Sequence, residues 1–266
     1  MIMAKTQKER AFLRDLYINE QWTRRFTDLV DKHIDLKKAE NLLYINTGTG
    51  DHAFALNEKI GKKTAIFGLS DDRDLLTISI DKAAAVKSDV DFSMIRFEDE
   101  AFDIVLADAS FVKPPDVEGF VIEAVRVART DGKVAVFLPS AGSFGEIFSL
   151  LWEMLDSEKL GKEGAEIEDM VAAIPTISRL EEIAAAAGLV NVESQNATEI
   201  FEFENGVEFI GSSLVADFLL PEWLTTLSEK EKKRAFKKLA QLIDVEDGNL
   251  TFRFTVKATL VMGEKS

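Results

Sequence analysis

Apolar positions in the first 35 residues recur at steps of three and four. Phe12, Leu16 and Tyr17, then Trp22, Phe26, Leu29, Val30 and Ile34, stand between charged residues, so 7–35 is predicted to form one or two amphipathic helices. From Asn41 the pattern changes. Leu42-Leu43-Tyr44-Ile45 is an unbroken apolar run leading into Asn46-Thr47-Gly48-Thr49-Gly50, the signature of a strand entering a glycine turn. A helix over 51–60 follows, with Gly61 where a helix would stop. The alternation then repeats. A strand over 64–69 meets an acid-rich helix start (Ser70, Asp71, Asp72, Asp74), and a helix over 75–85 precedes strands at 90–94 and 102–107. Pro114-Pro115 opens a helix with Val117, Phe120, Val121, Ala124 and Val125 inward; Asp131-Gly132 reads as a turn before a fifth strand over 134–138.

The second half is less regular. Helices are predicted over 144–155 and 177–187, the latter stopped by Gly188. Strand segments lie at 190–193 and 199–204, a mostly helical stretch spans 207–244, and 250–262 alternates as a closing antiparallel strand. Strands alternating with helices of these lengths imply βαβ units, hence an α/β fold built on a mostly parallel sheet with helices on both faces.

Composition narrows the chemistry. Against 47 Asp+Glu the chain carries only 32 Lys+Arg, a net charge of −15. A nucleic-acid surface needs basic side chains to displace phosphate counterions, so no nucleic-acid partner is expected. Cysteine is absent, which removes disulfides, thiolate nucleophiles and thiolate metal sites. With only His33 and His52, no metal centre is expected either. No stretch approaches the roughly 20 apolar residues of a membrane span. The charged start lacks the apolar run of a secretory signal, so a cytoplasmic protein without a membrane segment is expected. The run Lys230, Lys232, Lys233, Arg234, Lys237 and Lys238 reads as the solvated face of a helix whose buried stripe is Leu227, Phe236, Leu239 and Ile243.

A glycine turn after a first strand gathers backbone N–H groups and a helix N-terminus at one point, suited to a phosphate or a carboxylate. Two further segments stand in order behind it: Phe102-Asp103-Ile104-Val105-Leu106 and Arg126-Val127-Ala128-Arg129-Thr130-Asp131-Gly132-Lys133. With Tyr44–Gly50, they make residues 40–140 resemble the class I S-adenosylmethionine-dependent methyltransferases. The resemblance implies a Rossmann-like, seven-stranded, mostly parallel sheet in one domain over 1–266. It assigns 1–38 to an N-terminal helical lid, 39–140 to the cofactor-binding half, and 141–266 to a substrate-side half carrying the insertion 207–244. S-adenosylmethionine is the implied cofactor. Gly48 and Gly50 would let backbone approach its methionyl part, with Thr49 in the same turn, and Asn46 or Thr47 would supply side-chain contacts. Asp71 would accept from the ribose hydroxyls, with Ser70 as the rival. Ile95 would lie against adenine, and Asp108 near the methionyl ammonium. Trp22 and Tyr17 would close over the site or pack the core.

The resemblance implies methyl transfer to a small molecule that the sequence does not identify, with a second copy of the chain, as a homodimer, the other expected partner. Phe144, Phe148, Phe201, Phe203, Phe209 and Phe218 would suit an apolar acceptor or the core. No catalytic residue is singled out, and His52, after the glycine turn, reads as a helix polar group. Tyr44, Asn46 and Ser70 stand where the family has an acid, a glycine and an acid. They favour a rival reading, a non-catalytic binding or assembly protein of the same fold, which the intact Gly48-Thr49-Gly50 opposes. A nicotinamide-dependent enzyme is opposed by the incomplete dinucleotide fingerprint.

Overall fold

The computed structural model describes residues 5–36, 39–61, 63–157, 161–246 and 251–266. In it, strand β1 (Asn41–Ile45) pairs in parallel with β2 (Ala65–Leu69) on one side and β4 (Phe102–Asp108) on the other. β3 (Asp91–Ser93) and β5 (Ala128–Pro139) extend the parallel set, and β7 (Phe252–Lys265) runs antiparallel to β5. With β6 (Leu189–Phe203) at the edge, the order is β3-β2-β1-β4-β5-β7-β6. This is the expected seven-stranded Rossmann-like sheet. Strand order reverses at β1/β4, the switch point beyond which α/β sheets bind ligands.

Both faces of the central strands are buried, which is why β1 and β4 read as continuous apolar runs. Leu43 and Ile45 face one cluster with Val105, Ala107, Val134 and Val136, covered by Val117, Val121, Ala124 and Val125 of α5 (Val117–Val127). On alternate positions the N-terminal helices bring Trp22 and Phe26, 5.0 Å apart by ring centroid, and Phe26 stacks on Phe137 of β5. Those helices are α1 (Gln7–Leu13), a π-helical segment (Arg14–Thr23) and α2 (Arg24–His33). α3 (Asp51–Ile60) and α4 (Arg73–Val86) fill the first two crossovers.

The chain divides into two compact units. Thr6–Pro139, Thr176–Ala197 and Ala258–Ser266 form the larger; the smaller is built chiefly from Ser140–Pro175 and Thr198–Lys257. The larger includes α8 (Ile177–Ala186). The smaller holds α6 (Gly145–Ser157), α7 (Gly161–Ala173), α9 (Gly206–Gly211), a second π-helical segment (Leu214–Leu219), α10 (Leu220–Trp223) and α11 (Glu229–Glu246). All six phenylalanines offered to an apolar acceptor are buried, and they make that unit's core. Phe254 stacks on Phe201 at 4.7 Å, Phe209 meets Phe203 and Phe252 edge-on, and Trp223 packs on Phe144 and Phe148. The stripe of Leu227, Phe236, Leu239 and Ile243 is buried as read.

Three elements differ from their predicted forms. β6 is one strand, not two segments: its polar middle, 194–198, lies on a sheet edge where neither face is fully covered, so apolar alternation is not required. Asp131-Gly132 is not a turn between elements. The register jumps from Phe102↔Ala128 to Ile104↔Lys133, and 129–132 bulge from a continuous β5 with Asp131 at φ 60°. α7 falls where no element was predicted, because only Ile167, Met170 and Val171 mark its apolar side. Among the described residues no helix is long and apolar enough to cross a membrane.

Candidate functional site

The turn after β1 bends on three left-handed residues within five, Asn46 (φ 59°), Gly48 (φ 59°) and Gly50 (φ 89°). Asparagine is among the few side chains that tolerate this region, so Asn46 keeps the conformation that glycine provides in the family pattern. Its side-chain amide also donates to the Asp108 carbonyl at 3.0 Å, tying the end of β1 to the end of β4. Gly50 caps α3, and a β-carbon there would fall 2.7 Å from the Phe92 ring. At Gly48 it would lie 3.2 Å from Arg14 Nε.

At the end of β2, Ser70 is buried and its hydroxyl accepts from the Asp72 amide at 3.2 Å. Asp72 caps α4, accepting from Asp74 N (2.8 Å) and Leu75 N (3.0 Å). Sequence pattern shared the helix start among three acids; geometry gives the cap to Asp72 and leaves the exposed Asp71 directed to the same strand end. At the end of β4, Asp108 is buried. It accepts from the Ser110 amide at 2.8 Å and lies 3.6 Å from Arg14 Nη2. Burial pushes the Asp108 carboxyl above its ordinary range, against the pull of the Arg14 charge.

These three strand ends open on one cavity of about 340 Å³. Asn46, Gly48, Ser70, Asp71 and Asp108 line it, together with Arg14, Leu75, Phe111, Val112, Lys113 and Asp116. Of the residues read from sequence, Thr47, Thr49, Gly50 and Ile95 are not in its lining. Ile95 is 72% exposed, and the apolar wall is Leu75, Phe111 and Val112 instead. Thr49 is fully buried, donating to Asp15 (2.7 Å) and accepting from Asn19 (2.6 Å), both on the π-helical segment. Lys82 of α4 completes this latch on Asp15 (2.6 Å) and Asp51. Burial draws its ammonium down, but the two carboxylates outweigh that and hold it above its usual value.

His52 does not face the cavity. Its Nδ1 lies 3.1 Å from the Tyr44 hydroxyl, and Nε2 lies 3.8 Å from Asp31 of α2. Burial raises the Tyr44 phenol well above its normal value, so it stays protonated in its contact with Nδ1. The tyrosine in the family's acid position is therefore a tie between β1, α3 and α2. Trp22 packs the core, in ring contact with Phe26 and Phe111, while Tyr17 is 45% exposed. Arg14 is the residue that pattern reading missed: on an amphipathic helix it looks like any solvated cation. Pro114-Pro115, starting a helix just past β4, was the available signal for the loop of Phe111 to Asp116.

A glycine turn, an acid after β2 and an acid ending β4 are gathered at the switch point, where α/β sheets bind ligands. The ubiE/COQ5 methyltransferase family pattern matches residues 13–201. The chain belongs to that family. It is accordingly a class I S-adenosylmethionine-dependent methyltransferase. A demethylmenaquinone methyltransferase of Shouchella clausii is 23% identical over 183 residues, covering 63% of this chain and 77% of the relative. Among solved structures, the YcgJ protein of Bacillus subtilis superposes with a TM-score of 0.56 at 15% identity, covering 91% of this chain and 98% of that one. Phosphoethanolamine N-methyltransferase 2 of Haemonchus contortus, solved with phosphomonomethylethanolamine and S-adenosylhomocysteine, gives 0.57 at 13% identity over 97% of this chain and 57% of that one. At such identities the structural likeness speaks for the fold.

Proposed function

We propose that this protein transfers a methyl group from S-adenosylmethionine to a small-molecule acceptor, and that the cavity at the ends of β1, β2 and β4 holds the donor. The observation that carries the assignment is the convergence of Gly48, Asp71 and Asp108 on that one cavity. Its volume lies in the range of roughly 300–1,000 Å³ usual for small-molecule sites. Side-chain-free Gly48, at φ 59°, holds the turn while the Arg14 side chain packs where a β-carbon would lie, and Asp71, not engaged in the α4 cap, is available to accept from ribose hydroxyls. Asp108 offers a buried carboxylate to the methionyl ammonium, and Leu75, Phe111 and Val112 offer apolar surface. The bound donor supplies a sulfonium-activated methyl, so the chain's own task is to orient two reactants and keep water out.

Demethylmenaquinone, the compound in the relatives' names, is the first acceptor to try. A net charge of −15 supports a small molecule over a nucleic acid. A cytoplasmic setting and action as a single domain, alone or as a homodimer, belong to the same reading. Calorimetric titration with S-adenosylmethionine and S-adenosylhomocysteine tests the donor site; mass-spectrometric detection of methylated demethylmenaquinone tests the acceptor. Saturable binding of either donor form is expected, and none at millimolar concentration would sink the reading.

A further inference from the structure

Arg14 opens the π-helical segment, a helix type that recurs at functional sites. Its side chain is 14% exposed, and its guanidinium stands over the Phe111 ring at 5.1 Å from the centroid. Nε is buried with no hydrogen-bond acceptor among the described residues, and the Asp108 carboxylate lies at a loose 3.6 Å from Nη2. A guanidinium so placed has a buried donor unmet at Nε and no close paired acceptor for its fork, a costly state for a largely buried cation. The Asp15–Thr49–Asn19–Lys82 latch fixes the helix that carries it, so the group is held in place rather than merely resting there. What satisfies such a fork is a carboxylate. Beside it, Asp108 is matched to an ammonium. The pair is thus complementary to an α-amino-acid zwitterion, and each partner neutralises the other without one.

We propose that Arg14 binds the carboxylate of the methionyl end of the donor, an inference that rests on the donor-site reading above. The test compares S-adenosylhomocysteine with 5′-methylthioadenosine, which keeps the adenosine thioether and lacks the amino-acid end. Both are titrated calorimetrically into the unmodified protein, Arg14→Gln and Arg14→Lys, with unfolding midpoints of the unliganded proteins as a control on folding. Arg14→Gln should weaken S-adenosylhomocysteine roughly ten- to a hundredfold, as for a lost charged hydrogen bond, and leave 5′-methylthioadenosine within about twofold. Arg14→Lys, which keeps charge without the fork, should fall between. Equal losses for both ligands would make Arg14 a structural residue, and tighter S-adenosylhomocysteine binding by Arg14→Gln would make it a plug; either outcome overturns the proposal alone. Failure of the unmodified protein to bind either ligand would overturn the donor site itself and this inference with it.

Discussion

Asp71 and Asp72 are neighbours of one type with different work. Asp72 satisfies two amides of α4, whereas Asp71 points to the cavity. Asp72→Ala should therefore cost about 1 kcal/mol of stability, the usual loss for an N-cap, and leave donor affinity nearly unchanged. Asp71→Asn should do the reverse, weakening S-adenosylhomocysteine by about 1.5–3 kcal/mol with little change in thermal midpoint. Titration and melting of the two variants side by side check both. Asp108 adds a pH dependence. Burial raises its pKa above the ordinary 3.8 despite Arg14, so on acidification it takes up a proton earlier than a common aspartate. A protonated Asp108 no longer attracts an ammonium. Affinity for S-adenosylhomocysteine should accordingly begin to fall at a pH above that ordinary value, and Asp108→Asn should bind more weakly with a flatter profile.

Pairs of elements are held by a few polar ties that the apolar pattern does not encode. α2 and α3 meet through Asp31, whose carboxyl is held down to about 2 by the His52 imidazole and Lys59 ammonium. A depressed folded-state pKa means stability that is full above the unfolded value of 3.8 and is lost as pH falls through about 2. Asp31→Asn should thus be less stable than the parent at neutral pH, with the gap closing across that window; urea unfolding at several pH values measures it. Because Asp31 is 38% exposed, solvent screening keeps the gap small. Arg126, quoted within a family motif, proves to be a tie of this sort too. It bridges Glu123, Asp99 and the Phe97 carbonyl, pinning the approach to β4 onto α5. Asp103 likewise accepts from the Glu40 and Asn41 amides that start β1. Two of the three motif segments therefore carry fold-building side chains, and the cavity-lining ones, Asn46 and Gly48, lie on the first.

At the scale of the molecule, β6 and β7 each run unbroken from one compact unit into the other. Separate unfolding would require breaking a strand in its middle, so one cooperative transition is expected. Trp22 reports on the larger unit, Trp152 and Trp223 on the smaller. In Trp22→Phe, and in the double variant Trp152→Phe/Trp223→Phe, the remaining fluorescence should follow the same denaturant curve as backbone circular dichroism. A fluorescence midpoint displaced from the circular dichroism curve would mean units that fold independently.

The apolar periodicity of this chain determined its helices other than α7, and the buried parallel strands that flank the glycine turn, because a strand buried on both faces or a helix buried on one must write its environment into consecutive residues. Gly48, Asp71 and Asp108, which lie at or just past the ends of β1, β2 and β4, were marked by the family resemblance that those segments carry. Edge strand β6, with partly wet faces, wrote only its two ends into the pattern, and the bulge at 129–132, whose ends are decided by pairing with β4, left no trace. Only the tertiary structure could turn Tyr44 toward His52, give Thr49 to the latch, withdraw Ile95 from the cavity and bring Arg14 into it. Direction and partnership of a polar side chain depend on residues tens of positions away. A local sequence pattern holds no record of them.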